Sequence, residues 1–199
     1  MNLDHKSRKI LITGKSGSGK TTALIQLLMQ LHCKRTYIFD PELEISRKLK
    51  FPTKSTVQEL ALSAMQQRSV CFDPAKLFPG RTDEGFAFFC EWVYRVSSVQ
   101  RGRKLLVVDE LQKFTRLGKG GIPKSFQVIL DVGRRQEIDL LIIAQRPNLV
   151  NDAVRAQLTD IITLCHTDRL PLAWLEQDGF DPEAVRALPV PGGKIHRVL

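Results

Sequence analysis

Gly14-Lys15-Ser16-Gly17-Ser18-Gly19-Lys20-Thr21 fits the phosphate-binding pattern G-x-x-x-x-G-K-[ST] at every fixed position. The apolar run before it, Lys9-Ile10-Leu11-Ile12-Thr13, predicts a buried strand, and Thr22 to Leu31 is a good helix former. The motif therefore has its strand–loop–helix setting. Gly14, Gly17 and Gly19 let the backbone curl so that several N–H groups converge on one anion. The helix starting near Lys20 adds its positive end. Lys20 suits the β- and γ-phosphates, and the Thr21 hydroxyl suits Mg²⁺. Lys15, Ser16, Ser18 and Thr22 complete the expected nucleotide-contacting set. An ordinary glycine-rich turn would need neither the Lys-Thr pair nor the flanking elements.

Lys104-Leu105-Leu106-Val107-Val108-Asp109-Glu110 is the second decisive stretch. Four consecutive apolar residues describe a strand buried on both faces. It ends in two acids at the edge where α/β sheets bind ligands. Asp109 would hold Mg²⁺ through its water shell, and Glu110 would polarise the attacking water as general base. Leu140 to Ala144 is another buried strand, followed by Gln145, which suits the γ-phosphate or the water, or else caps a loop. Asp40 follows a strand at Thr36–Phe39 and precedes Pro41, and turn formation is its expected role.

Further elements follow from periodicity and punctuation. Residues 42–55 read as irregular. A helix is expected from the capping box at Thr56-Val57-Gln58-Glu59 to about Gln67, and a strand at Ser69–Phe72. Asp83 to Ser98 is a helix whose aromatics Phe86, Phe88, Phe89 and Trp92 pack on a sheet or, if exposed, stack bases. Lys113 to Lys124 is a glycine-rich basic loop, and a helix runs from about Pro123 to Gln136. Val150–Leu158 reads as a helix, Asp160–Cys165 as a core strand, Pro171–Gln177 and Pro182–Leu188 as short helices, and Lys194–Val198 as an edge strand. The fold class is α/β, a mainly parallel central sheet flanked by helices, in a single domain over residues 1–199.

The 199 residues suffice for one sizeable core, and 43% hydrophobic with 26% charged residues is ordinary for a soluble chain. No apolar run approaches the roughly 18–20 residues of a membrane span, and no leader-like apolar segment opens the chain, so a cytoplasmic location is expected. Cys33, Cys71, Cys90 and Cys165 form no Cys-x-x-Cys and read as reduced thiols. The pairs His32-Cys33 and Cys165-His166 diverge along any regular element, so no metal site of this kind is expected. The net charge is +9. Between Arg101 and Arg135, nine basic residues face three acids, a surplus of six in that stretch alone. Such a concentration beside a nucleotide site suggests nucleic acid, with a solvated basic face as the alternative.

With these strand ends in hand, the chain resembles the FtsK–HerA superfamily of DNA-translocating ATPases. The resemblance rests on Gly14–Thr21, Tyr37-Ile38-Phe39-Asp40-Pro41, Val107-Val108-Asp109-Glu110, Gly133-Arg134-Arg135 and Ile143-Ala144-Gln145-Arg146-Pro147. In its compactness it is similar to the genome-packaging ATPases of viruses with an internal membrane. The resemblance implies a RecA-like P-loop sheet, ATP and Mg²⁺ as cofactors, and a homo-oligomeric ring (pentamer or hexamer) that pumps double-stranded DNA. It further implies that Arg134, with Arg135 as second candidate, acts in trans on a neighbour's nucleotide. Capsid-vertex or membrane-associated portal proteins would be further partners, in the host cytoplasm during assembly or in the virion. Lys15 departs from the small or polar residue of many relatives. Lys113, Arg116, Lys119 and Lys124 are the candidates for gripping DNA. A small-molecule kinase shares the phosphate loop but usually needs an arginine-bearing lid. An ATP-binding, DNA-associated switch without turnover should tolerate loss of Glu110.

Overall fold

The structure, a computed structural model, describes residues 7–31, 33–66, 69–115 and 121–199. Eight strands, β1 (Lys9–Thr13), β2 (Arg35–Phe39), β3 (Thr53–Lys54), β4 (Ser69–Phe72), β5 (Lys104–Val108), β6 (Ile138–Ala144), β7 (Asp160–Leu164) and β8 (Lys194–Val198), form a mostly parallel sheet in the order β3-β4-β2-β5-β6-β1-β7-β8. The helices are α1 (Lys20–Gln30), α2 (Glu44–Leu49), α3 (Val57–Gln66), α4 (Thr82–Val99), α5 (Lys124–Val132), α6 (Asp152–Arg155), α7 (Arg169–Gln177) and α8 (Pro182–Arg186). Among the described residues no helix is long and apolar enough to cross a membrane. The sheet with its flanking helices is the α/β class expected. The chain packs as two compact units.

The first unit comprises the described residues of Met1–Ser7, His32–Asp109 and Ile122–Leu140. Its strands β3, β4, β2 and β5 pair in parallel, with Phe39 opposite both Phe72 and Val108. β5, β4 from Val70 and β2 from Tyr37 are buried, as expected of parallel strands covered on both faces, whereas Thr53 and Lys54 of β3 are half-buried. Phe39, Phe72, Phe86, Phe89 and Phe126 fill the core, with Phe72 and Phe89 stacked at 5.1 Å and Phe86 at 5.1 Å from Phe126. The aromatic face of α4 is thus committed to packing, and Trp92 sits edge-on against Tyr37 at 5.5 Å. Phe86 and Phe89 are buried and Phe88, Trp92 and Tyr94 half-buried, so α4 carries no fully exposed ring.

Residues 42–55 depart from expectation, since α2 and β3 form there. The helix is held by Asp40, whose buried carboxylate accepts from the backbone N–H groups of Glu44 (3.1 Å) and Ser46 (2.8 Å). Leu43 and Lys50 bracket it in the left-handed region, at φ 57° and 53°. No glycine marks either bend, so the pattern carried no stop signal. The helix expected to reach Gln136 ends instead at Val132, and Gly133–Gln136 continue as a 3₁₀ turn closed by Glu137 N–H on the Arg134 carbonyl (3.0 Å).

The second unit comprises the described residues of Arg8–Leu31, Glu110–Gly121 and Leu141–Leu199. Here β1 pairs in parallel with β7, and β8 runs antiparallel along β7 as the expected edge strand. At the start of β7, buried Asp160 accepts from Arg8 Nη2 (2.6 Å) and lies 2.9 Å from His196 Nε2. Burial opposes the ionised carboxylate, but the hydrogen bonds from Arg8, Thr159 and His196 outweigh it and hold the pKa below its ordinary value. The helix expected over 150–158 is the single turn α6, because Gln157 and Leu158 bond back three residues and tighten the chain toward β7.

Candidate nucleotide-binding site

The phosphate loop follows β1 directly. Gly17 and Gly19 adopt φ of 74° and 100°, a region that side-chain-bearing residues avoid. A Cβ at Gly14 would strike the Ser18 hydroxyl and lie 2.9 Å from Leu164 Cβ. The loop is anchored by Lys15 N–H on the Cys165 carbonyl (2.9 Å) and by Gly192 N–H on the Ser18 carbonyl (3.1 Å). Helix α1 starts at Lys20 with Gly19 as N-cap and no side-chain cap, which leaves its first N–H groups to serve an anion. Lys20 Nζ donates to the carbonyls of Gly14 (2.9 Å) and Lys15 (3.0 Å), arching over the loop. Ser16, Gly17 and Thr22 are exposed and Lys15 and Thr21 half-buried, so the crown of the loop faces solvent. The Ser18 hydroxyl is buried with no hydrogen-bond partner among the described residues. Curled backbone, uncapped helix start, ammonium and Thr21 hydroxyl fit a nucleoside triphosphate with its Mg²⁺.

Beneath the loop lies a pair that sequence reading missed. Thr13 Oγ1 and His166 Nε2 are 3.0 Å apart and both residues are buried. Burial, and then the nearby Lys20 ammonium, push the His166 pKa down to about 4, so the ring is neutral at physiological pH. The two residues are 153 positions apart, and no local spacing links them. Cys165 Sγ points instead toward the Arg186 carbonyl (3.5 Å), so the Cys165-His166 pair has separate partners, while His32 lies outside the described residues.

The acids sit at strand ends. In the first unit Asp109 follows β5, and its N–H donates to the Phe39 carbonyl at 3.1 Å. Asp40 ends the neighbouring strand β2, and its two carboxylate oxygens accept from the start of α2. In the second unit Glu110 stands at φ 49°, left-handed and not glycine, and its carboxylate forms an ion pair with Lys113. Gln145 is half-buried just after β6, the strand beside β1. Arg134 and Arg135 are exposed on the 3₁₀ turn after α5.

The basic segment is less free than its charge suggests. Lys104 is buried and donates to the carbonyls of Gln100 (2.6 Å) and Gln136 (2.8 Å), and burial lowers its pKa. Arg103 pairs with buried Asp139, and Lys113 with Glu110. Lys124 is exposed at the start of α5. Arg116 and Lys119 lie outside the described residues.

Comparison with known proteins bears on the fold. Residues 4–151 match the family described as "AAA domain". No curated protein matches the sequence. Among solved structures, the fold is similar to the genome packaging NTPase B204 of Sulfolobus turreted icosahedral virus 2 in complex with ATP-gammaS (TM-score 0.70, 17% identity, 92% of this chain and 88% of that one). The same protein in complex with AMP gives a TM-score of 0.74 at 18% identity over 96% and 92% of the two chains. The cytoplasmic domain of the Thermomonospora curvata type VII secretion ATPase EccC is similar over 95% of this chain but only 24% of its own (TM-score 0.60, 17% identity). The sheet is thus that of P-loop ATPases, as the resemblance to the FtsK–HerA superfamily implies.

Proposed function

The chain belongs to the AAA domain family, and from that premise we propose that it hydrolyses ATP to translocate double-stranded DNA, as a ring that packages a viral genome into a preformed capsid. The observation that carries the nucleotide half is the phosphate loop, with Lys20 arched over its carbonyls and an uncapped helix start. In this reading the loop N–H groups and Lys20 bind the β- and γ-phosphates. Thr21 and Asp109 would hold Mg²⁺, which would neutralise charge on the phosphates. Glu110 takes the proton of the attacking water. Gln145 orients the γ-phosphate or that water.

The transport half is supported by two features. Arg134 and Arg135 are exposed on a turn, where a neighbouring copy can receive them. A cation supplied across such an interface stabilises the transferring phosphoryl. Lys124, with Arg116 and Lys119, gives backbone-directed charge without base readout. Capsid-vertex or portal proteins are the docking partners in this reading, with the host cytoplasm or the virion as its setting.

The test is steady-state ATP hydrolysis with and without duplex DNA of unrelated sequences. The proposal expects stimulation by all of them. Hydrolysis indifferent to DNA removes the translocation half, and phosphoryl transfer to a small acceptor would favour a kinase.

A further inference from the structure

Thr13 and His166 stand where β1 and β7 leave the sheet side by side. Thr13 is the last residue of β1, its partner in register is Thr163 of β7, and His166 lies just past the end of β7. Two hydrogen bonds join these exits. Thr13 Oγ1 meets His166 Nε2 at 3.0 Å, and Lys15 N–H donates to the Cys165 carbonyl at 2.9 Å. Residues 13 and 15 are therefore both tied to 165–166, with Gly14 held between them. The carbonyls of Gly14 and Lys15 in turn both accept from Lys20 Nζ, at 2.9 and 3.0 Å. Where those carbonyls point decides where the ammonium stands.

The backbone bond is indifferent to side chains, whereas the bond between Thr13 and His166 is made by them. Both residues are buried. An apolar pair of similar size, such as valine and leucine, would avoid the cost of burying polar groups. What the polar pair adds is direction, since a hydrogen bond weakens steeply when its angle is lost. The ring is neutral at physiological pH, so it supplies direction without a second cation beside Lys20. Direction matters most at Gly14, which has no Cβ to limit its backbone. A loop that spends part of its time in other forms binds with its affinity reduced by the fraction in the competent form.

We propose that His166, acting through Thr13, is a positioning residue for phosphate binding: it fixes the Gly14 and Lys15 carbonyls, and through them the Lys20 ammonium, in the form that takes a polyphosphate. Its effect passes through the loop and not through a contact of its own with the ligand. The inference rests on the nucleotide half of the proposed function and is independent of DNA.

The experiment is calorimetric titration of the full chain with ATP and Mg²⁺, with thermal unfolding of each protein measured alongside. Thr13→Val and His166→Leu each remove the bond and leave one buried polar group unpaired. Both should lower Tm and weaken ATP binding about two- to tenfold, the worth of one buried hydrogen bond. The double variant Thr13→Val with His166→Leu leaves neither group unpaired. It should recover much of the lost stability and yet bind ATP as weakly as the single variants. A merely structural role would not separate the two readouts in this way. Thr13→Ser and His166→Gln keep a partner within reach and should bind ATP as wild type does. Wild-type affinity in the double variant, or affinity that returns in step with Tm, overturns the positioning role. A wild-type protein that binds no ATP removes the nucleotide reading, and the positioning role with it. If the double variant does not fold, Thr13→Val against Thr13→Ser decides the matter, titrated well below the Tm of both, and equal affinities overturn the proposal.

Discussion

Acid should weaken this protein through one histidine under the phosphate loop. His166 has an ordinary pKa of 6.5 and a folded value of about 4, set first by burial and then by the Lys20 ammonium. Above pH 6.5 the ring is neutral whether the chain is folded or not, and it contributes no pH dependence. Between 6.5 and about 4 the unfolded chain takes up a proton that the folded chain excludes, so stability falls as pH falls. Below about 4 both forms carry the proton and the loss levels off. The separation corresponds to about 3 kcal/mol in full, and about 2 kcal/mol is already lost at pH 5. For a chain of this size that is a drop of roughly 4–8 °C in Tm between pH 7.5 and pH 5. The assay is thermal unfolding across that range, for wild type and for His166→Gln, whose amide can still reach Thr13. The variant should show a flatter profile between pH 6.5 and 4.5. Asp160 does not confuse the reading, because its depressed pKa places its own loss of stability below the carboxylate value of 3.8. Parallel profiles for the two proteins would refute the assignment of a buried neutral imidazole.

Glu110→Gln should still bind ATP while turnover falls by about 10²–10⁴, whereas Lys20→Ala should weaken nucleotide binding itself; titration with a fluorescent nucleotide and a phosphate-release assay separate the two. Arg134→Ala should be inactive alone, since an arginine acting across an interface is worth roughly 10³–10⁵ in rate. Mixed with Glu110→Gln under subunit exchange it should recover activity, and no recovery removes the trans role. Replacing Arg116 and Lys119 by Ala should lower the salt dependence of DNA binding by about 0.9 in logarithmic slope for each phosphate that is no longer neutralised, with DNA-free hydrolysis intact. An unchanged slope would make that loop a solvated connector.

What the sequence made legible was whatever is encoded within a few residues. The phosphate loop, the strand ending in Asp109-Glu110 and the edge strand β8 are patterns of spacing and alternation, and each lies where expected. What escaped were features made by distant partners. Helix α2 depends on a carboxylate at the end of β2 and on two left-handed residues that are not glycine. Arg103 is spoken for by Asp139, 36 residues on, so counting charge along 101–135 overstated the free basic surface. The pairing of Lys113 with Glu110, only three residues back, was likewise not visible, because sequence shows charge and not pairing. The pairing of Thr13 with His166 carried no signal, since it joins residues 153 positions apart.

The shape of the phosphate loop follows from the same distinction. Its motif residues supply the chemistry, but three glycines in six residues also make the segment entropically expensive to hold in one form. The restraint comes from chain far downstream. Cys165 and Leu164, at the exit of β7, fix the near side of the loop through a backbone hydrogen bond and through the space a Gly14 side chain would need. Gly192, in the turn before β8, bonds the Ser18 carbonyl, and its N atom would lie 3.3 Å from a Cβ at Gly19. Gly192 can make that approach at φ 105°, where a side chain would be strained, and the turn is closed by Gly193 N–H on the Pro189 carbonyl at 2.9 Å. Lys194, the first residue of β8, then reaches Gln26 of α1 at 3.0 Å. The edge strand thus secures both the loop and the helix that follows it. Ordering the loop in advance in this way reduces the entropy that binding a nucleotide must otherwise overcome. The glycines of the C-terminal turn therefore help to shape the loop as those of the motif do, although nothing in their own neighbourhood of the sequence says so.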